Sequence, residues 1–270
     1  MHLMGHMNDN DVRAGQARPS IARTYDYLLG GRDHYVIDEE FGRYFEQVLA
    51  GSEQIAVSNR RALERAVRAL AHAGVDQIID LGCGLPAKEN VHQIARQHLP
   101  ETRVVYVDND PIVISHGQAM LAVDDDVAVF QADVREPAAI RKHPEVERLI
   151  TFDRPVGVLL SAVLGFIEED DDPVGLVRYW TEVIAPGSFV YVSCFRSGDD
   201  RRTALVQEQV RKVLGRGGWR SGETIAAMFE GLELAGPGVI PCVQWRPDGA
   251  TGPEPTDWER LIVSGLARKN

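Results

Sequence analysis

Short apolar runs alternate with helical stretches from residue 77 to residue 195, and this alternation limits the fold more than any other feature of the chain. The runs are Gln77–Leu81, Arg103–Val107, Val127–Gln131, Pro155–Val163 and Ser188–Phe195. Helices are expected at 87–98, Pro111–Ala122 and Asp172–Ala185. A strand that is apolar throughout, such as Pro155–Val163, must be covered on both faces. Strand-helix-strand units of this kind build a parallel sheet between two helical layers. Helices at Arg201–Leu214 and Glu223–Gly231 and strands at Val239–Trp245 and Leu261–Leu266 complete the pattern. The expected fold class is therefore α/β, with a mostly parallel seven-stranded sheet and helices on both faces. Arg246–Pro255, rich in Pro and Gly, reads as a loop between the last two strands.

The first 74 residues differ from the rest. Residues 1–18 read as a disordered tail, in which Gly5-His6-Met7 resembles a cloning remnant. Residues 19–74 read as a helical N-terminal extension or lid, and 75–270 as the α/β core. Ser20 is positioned to cap a helix over Ile21–Leu29, which Gly30-Gly31 stops. Asp38 is expected to cap a second helix running to about Leu49, and a third spans about Asn59 to Ala73 before Gly74.

The chain of 270 residues carries a formal net charge of -11, which disfavours nucleic-acid partners. Cys83, Cys194 and Cys242 form no CxxC pair, so neither a disulfide framework nor a zinc site is expected, and the setting reads as reducing and cytoplasmic. The sequence offers no signal peptide and no run of the roughly 20 apolar residues that span a bilayer. No Asp/Glu/His set has metal-ligand spacing, and nothing sets the oligomeric state.

The strand Gln77–Leu81 runs into Gly82-Cys83-Gly84, where glycine lets backbone approach a ligand closely. Asp80 precedes that turn, Asp108 follows the second strand, and Asp133 follows the third. Acids at three successive strand tips lie on one edge of the sheet, where open α/β sheets bind ligands. An acid some 20 residues beyond a glycine turn suits ribose hydroxyls. Pro86 interrupts the dinucleotide pattern, and an acid ahead of the turn suits a cationic amine better than a pyrophosphate. The donor that fits is S-adenosylmethionine, with S-adenosylhomocysteine as product: Asp80 at the amine, Asp108 at the ribose and Asp133 at the adenine amine. Gly82, Cys83, Gly84, Asn109, Ala132, Val134 and Ser161 complete the expected cofactor contacts at the strand tips, with Tyr27 and Arg32 from the extension. Cys83 reads as a packing residue rather than a nucleophile.

These residues resemble a known family. The stretches are Ser20-Ile-Ala-Arg-Thr-Tyr-Asp-Tyr-Leu-Leu-Gly-Gly-Arg-Asp-His-Tyr35, Gly82-Cys-Gly-Leu-Pro86, Asn90-Val-His92 and Val104-Val-Tyr-Val-Asp-Asn-Asp-Pro111. Gly231-Leu-Glu-Leu234 and Trp245-Arg-Pro-Asp-Gly249 follow. Together they resemble the actinobacterial S-adenosyl methyltransferase family once catalogued as a domain of unknown function, over nearly everything from residue 19 onward. The resemblance implies a Rossmann-like class I methyltransferase with a helical N-terminal extension. In that family the fourth strand usually leads to a His before an aromatic residue; this chain has Gly165 before Phe166. It also has His34-Tyr35 where the family has Asn-Phe.

Methyl transfer to an acceptor that is already nucleophilic needs positioning more than a base. The candidates for catalysis lie in the extension: Tyr25, Asp33, His34 and Tyr35. Aromatic groups there suit a cationic sulfonium and an aromatic acceptor. The expected acceptor is a small molecule, an aromatic or heteroaromatic secondary metabolite. Two other readings fit the same α/β plan: a non-catalytic protein that binds or senses the cofactor, and an NAD-dependent oxidoreductase.

Overall fold

The computed structural model describes residues 18–48, 51–198, 201–246 and 253–270. Strands β1 (Gln77–Leu81), β2 (Arg103–Asp108), β3 (Val127–Gln131), β4 (Gly157–Ser161) and β5 (Phe189–Phe195) pair in parallel in the order β3-β2-β1-β4-β5. Strands β6 (Glu233–Leu234), β7 (Ile240–Pro241) and β8 (Ile262–Arg268) complete the sheet. β8 runs antiparallel beside β5, and β6 and β7 each pair with a different stretch of β8. Among the described residues the sheet thus has eight strands, one more than the sequence pattern suggests.

The extra strand comes with a correction. Val239–Trp245 is not one strand; only Ile240–Pro241 pairs there. The amides of Gln244 and Trp245 turn back to the Pro241 carbonyl. Buried Arg65 holds that turn by donating to the Trp245 carbonyl at 2.6 Å and the Cys242 carbonyl at 2.7 Å. The loop expected at 246–255 falls mostly outside the described residues, as do residues 1–17 of the expected tail.

Helices α1 (Ile21–Leu28), α2 (Val36–Val48), α3 (Ser52–His72), α4 (Val91–Arg96), α5 (Pro111–Met120), α6 (Pro137–Arg141), α7 (Pro144–Leu149), α8 (Pro173–Val183), α9 (Arg201–Leu214) and α10 (Gly222–Ala227) surround the sheet. Alternate residues of a strand face opposite sides. Ile79, Leu81, Val105 and Val158 pack with Val146, Leu149 and Trp180 on one side. Ile78, Val104, Tyr106 and Leu159 pack with Leu70, Ile94 and Ile114 on the other. Helices α6 and α7 have no counterpart in the sequence reading, because five or six residues are too few to show a period. A proline at the start of each was the available signal.

Two helix starts and two caps differ from expectation. Helix α4 begins at Val91 rather than 87. Pro86 biases the residue before it towards extended backbone, and the Asn90 side chain accepts from the Ala87 amide at 2.9 Å. Helix α3 begins at Ser52, seven residues before the expected Asn59. Ser20 has extended backbone, but its side chain makes no cap bond; it donates to Asp110 Oδ2 at 2.8 Å instead. Asp38 lies inside α2, where its Oδ2 accepts from the Tyr35 amide at 2.9 Å. Its carboxylate also accepts from the Ser20 amide at 2.8 Å and from Arg23 Nε at 2.6 Å. That buried pair ties α1 to α2.

Candidate active site

The acidic end of the site is built where the strand order reverses in the sheet. Between β1 and β4 the strand order changes direction, and at such a switch point the loops diverge and leave a crevice. The tips of β1 to β4 meet there around a cavity of about 390 Å³. Asp80, Gly82, Cys83, Gly84, Asp108, Asn109, Asp133, Val134 and Ser161 all line it. Ala132 does not, being packed against the core at the end of β3.

The glycine turn is held by the strand beside it. Gly82 and Cys83 amides donate to the Val107 carbonyl at 2.8 and 3.1 Å, and the Gly84 amide to Asp108 Oδ2 at 2.9 Å. Gly82 has φ +72°, and a Cβ there would lie 2.5 Å from Val163 Cγ2, so both backbone and space require glycine. The other Asp108 oxygen accepts from the Asp110 amide at 3.0 Å. Asp110 in turn caps α5 through the Ile112 amide at 2.9 Å.

The acids differ in electrostatic state. Burial raises the Asp80 pKa to about 7; nearby Asp108 adds to the rise, while Arg60 opposes it. Burial also raises Asp108, against the hydrogen bonds it accepts from the Asp110 and Gly84 amides. Asp133 is shifted the other way, because Arg135 grips it with Nη2 at 2.6 Å from Oδ2. Asp80 is thus a buried carboxylate whose charge is poorly compensated, which is the property expected of a seat for a cationic amine.

The far end of the cavity is apolar. Phe41 and Phe45 of α2, Phe166 after β4, Phe195 ending β5, and Trp219 wall it. Phe195 and Trp219 stack with centroids 5.2 Å apart at 12°. Helix α3 runs along both ends, with Ser52, Ile55, Ala56, Asn59, Arg60 and Leu63 on the cavity. Asn59 sits at the junction: its Nδ2 donates to the Tyr25 hydroxyl at 2.9 Å and to Ser161 Oγ at 3.2 Å, and its Oδ1 accepts from Ser193 Oγ at 2.6 Å. Sequence reasoning passed over Asn59 and Arg60. An asparagine inside a helix, where its propensity is poor, was the signal.

Of the four residues considered for catalysis, only Tyr25 lines the cavity. Its hydroxyl donates to the Ala56 carbonyl at 3.0 Å, and burial pushes its pKa up to about 12. Tyr27, Arg32, Asp33, His34 and Tyr35 lie away from the lining. Asp26 Oδ2 accepts from the Asp33 amide at 2.9 Å and sits 3.0 Å from His34 Nδ1. The Tyr27 ring meets His34 edge to face at 5.3 Å, and Arg23 stacks over Tyr35 at 5.0 Å. Arg32 is exposed. Gly31 belongs to the same cluster, since a Cβ on it would lie 1.9 Å from Asp26 Oδ1. A side chain at Gly165 would meet only Phe195, at 3.6 Å, so the backbone there has room for one. His92 is buried behind the turn with Nδ1 2.9 Å from the Tyr106 hydroxyl. Among the described residues no group of His, Cys, Asp and Glu could hold a metal ion, and no helix is long and apolar enough to cross a membrane.

A sequence model described as S-adenosyl methyltransferase matches residues 7–270. The chain belongs to that family. It is an S-adenosylmethionine-dependent methyltransferase, and its fold is the Rossmann-like class I fold with a helical N-terminal part. A candidate methyltransferase from Thermobifida fusca is similar at 39% identity and TM-score 0.89, over 94% of this chain and 96% of that one. A DUF574 family protein from Streptomyces avermitilis is 34% identical with TM-score 0.89, over 95% of this chain and 99% of that one. N-methyltransferase NodS from Bradyrhizobium japonicum, in complex with S-adenosylhomocysteine, shares the fold at 14% identity and TM-score 0.51, over 92% of this chain and 98% of that one. No curated protein matches. In this methyltransferase a helix N-terminus does not meet the glycine turn, since α4 starts seven residues after Gly84. The dinucleotide arrangement needed by an NAD-dependent oxidoreductase is therefore missing from the turn.

Proposed function

We propose that the enzyme methylates a small aromatic or heteroaromatic acceptor held in the apolar end of the cavity. The observation that supports this most is the division of one cavity into an acidic end and an aromatic end. S-adenosylmethionine, when bound, supplies a methyl group already activated as a sulfonium substituent. Asp80 binds the amine, Asp108 accepts from the ribose hydroxyls, and Asp133 takes the adenine amine while still held by Arg135. Gly82 to Gly84 offer backbone that a ligand can approach closely. The methyltransferase's own work is then to orient the acceptor and exclude water.

The size of the site supports a small acceptor. The cavity of about 390 Å³ has to take the donor as well as the acceptor, which leaves the acceptor a small share. Helices α1, α2 and α3 wall it on the side away from the sheet. No histidine is among its lining residues, and the Tyr25 hydroxyl is already committed to Ala56. An acceptor that brings its own nucleophilic lone pair suits such a site.

Incubation with methyl-labelled S-adenosylmethionine and a panel of small aromatic hydroxy and amino compounds tests the proposal. Label is expected in the small-molecule fraction. Label found only in protein or RNA contradicts it.

A further inference from the structure

Arg60 and Asp80 carry opposite charges on the wall of one cavity, yet they do not pair with each other. Asp80 is 3% exposed. The influences on its carboxyl are burial and the charges of Arg60 and Asp108, with no hydrogen bond among them. Arg60 stands on α3 directly after Asn59, with its side chain 15% exposed. Its Nη2 donates to the Glu89 carbonyl just before α4, and its Nε lies 3.7 Å from Glu64 Oε1. Among the described residues its Nη1 makes no hydrogen bond. The guanidinium is thus anchored beyond the glycine turn with one nitrogen to spare. Arg60 and Asp80 also share the wall of a second, smaller cavity beside that turn, with Cys83 and Gly84.

Three cations line the main cavity: Arg60, Arg135 and Arg216. Arg135 is bound to Asp133, and Arg216 acts on Asp133 as well. The cation that acts on Asp80 is Arg60, which acts on Tyr25 and Tyr106 too. The methionine end of the donor carries an ammonium and a carboxylate on the same carbon. If Asp80 holds the ammonium, the carboxylate enters the same buried wall. There it would lose its water and meet the negative charges of Asp80 and Asp108. An arginine nitrogen offers it a charge-assisted hydrogen bond instead.

We propose that Arg60 binds the carboxylate of the donor's methionine end, so that Arg60 and Asp80 together read a zwitterion and reject nucleosides that lack the carboxylate. This rests on the reading of the cavity as the cofactor site. Arg60 is then a specificity residue for the donor and takes no part in the transfer step.

The test uses the full chain, titrated calorimetrically with three ligands. They are S-adenosylhomocysteine, its decarboxylated analogue, which keeps the amine, and methylthioadenosine, which lacks both charges. The parent protein should bind S-adenosylhomocysteine about 30-fold more tightly than the decarboxylated analogue. In Arg60→Gln that preference should fall to within about threefold, with methylthioadenosine affinity within about threefold of the parent's. Arg60→Lys, which keeps the charge, should retain a preference of at least about fivefold. The proposal is overturned if the parent binds the first two ligands alike or if Arg60→Gln keeps the preference. It is also overturned if Arg60→Gln weakens methylthioadenosine as much as S-adenosylhomocysteine, which would make Arg60 a support for the turn. Failure of all three ligands to bind the parent would instead overturn the reading of the cavity.

Discussion

The two ends of the cavity are built on opposite principles. At the acidic end, acids stand on the tips of β1, β2 and β3, and the Gly84 and Asp110 amides fix Asp108 among them. Each position follows from the register of paired strands. At the aromatic end, where we propose the acceptor sits, rings come from α2, from the segment after β4, from β5 and from the chain near Trp219, outside any single strand register. Side-chain packing holds most of them together, helped by the Arg220 amide donating to the Phe195 carbonyl at 2.9 Å and the Gly218 amide to the Gly165 carbonyl at 3.0 Å. The first end is thus rigid and charged, and the second depends on the docking of α1 and α2. What joins the ends is Asn59, bonded both to Tyr25 on α1 and to Ser161 and Ser193 in the sheet.

If the ends are separable, damage to one should spare the other. Trp219→Ala removes a buried ring stacked on Phe195 and should cost roughly 3–5 kcal/mol of stability, read by chemical denaturation. Affinity for S-adenosylhomocysteine should still stay within about threefold of the parent protein. A large loss of affinity in that variant would show that the ends are not independent.

Damage at the other end should do the reverse. Asp108→Asn weakens the bonds that fix Gly84 and Asp110, and it removes the charge proposed to meet the ribose. Calorimetry should show S-adenosylhomocysteine binding weakened by roughly 30- to 100-fold, as for loss of a charged hydrogen-bond partner. A change smaller than threefold would mean that the ribose lies elsewhere.

Asp80 sharpens the comparison through pH. In the free protein its pKa is raised to about 7. The charged groups that act on it are Arg60, which lowers it, and Asp108, which raises it. Below that pH the carboxyl is protonated and must lose its proton to pair with a cationic amine. Affinity should therefore fall by up to about tenfold per pH unit below 7 and level off above it. Stability has the opposite sign. Between 3.8 and about 7 the folded chain holds a proton that the unfolded chain has released, so stability declines as pH rises through that window. Asp80→Asn should flatten both profiles, raising stability above pH 7 by about 2–4 kcal/mol while weakening the cofactor. A variant with the parent's pH profile would remove Asp80 from the amine site.

The smallest effect is expected at His34. It lies outside the cavity, beside Asp26 and Tyr27. His34→Gln should leave cofactor affinity and methyl transfer within about threefold, and a loss of a hundredfold or more would restore His34 as a catalytic candidate.

How much of this was legible in the sequence follows the same division. Asp80, Asp108 and Asp133 could be placed together because a strand tip is a position that one chain segment defines by itself. The sheet was legible for a related reason, since Val, Ile and Leu runs announce buried strands. Phe41, Phe45 and Phe195 carry no such mark, because an aromatic residue on a helix or strand reads as core until tertiary packing leaves one face open. Ser52 to Ser58 were missed as helix for the same cause. A face that lines a cavity need not be apolar, so it breaks the period by which helices are recognised. Tyr27, Asp33, His34 and Tyr35 drew attention by their chemistry, yet they contact one another, Asp26 and Asp38 between α1 and α2 and do not line the cavity.

A structure with S-adenosylhomocysteine bound tests the account most directly. The amine is expected on Asp80, the ribose on Asp108, and the sulfur facing the end walled by Phe195 and Trp219. Adenine seated among those rings, or a ligand lying outside this cavity, would contradict it.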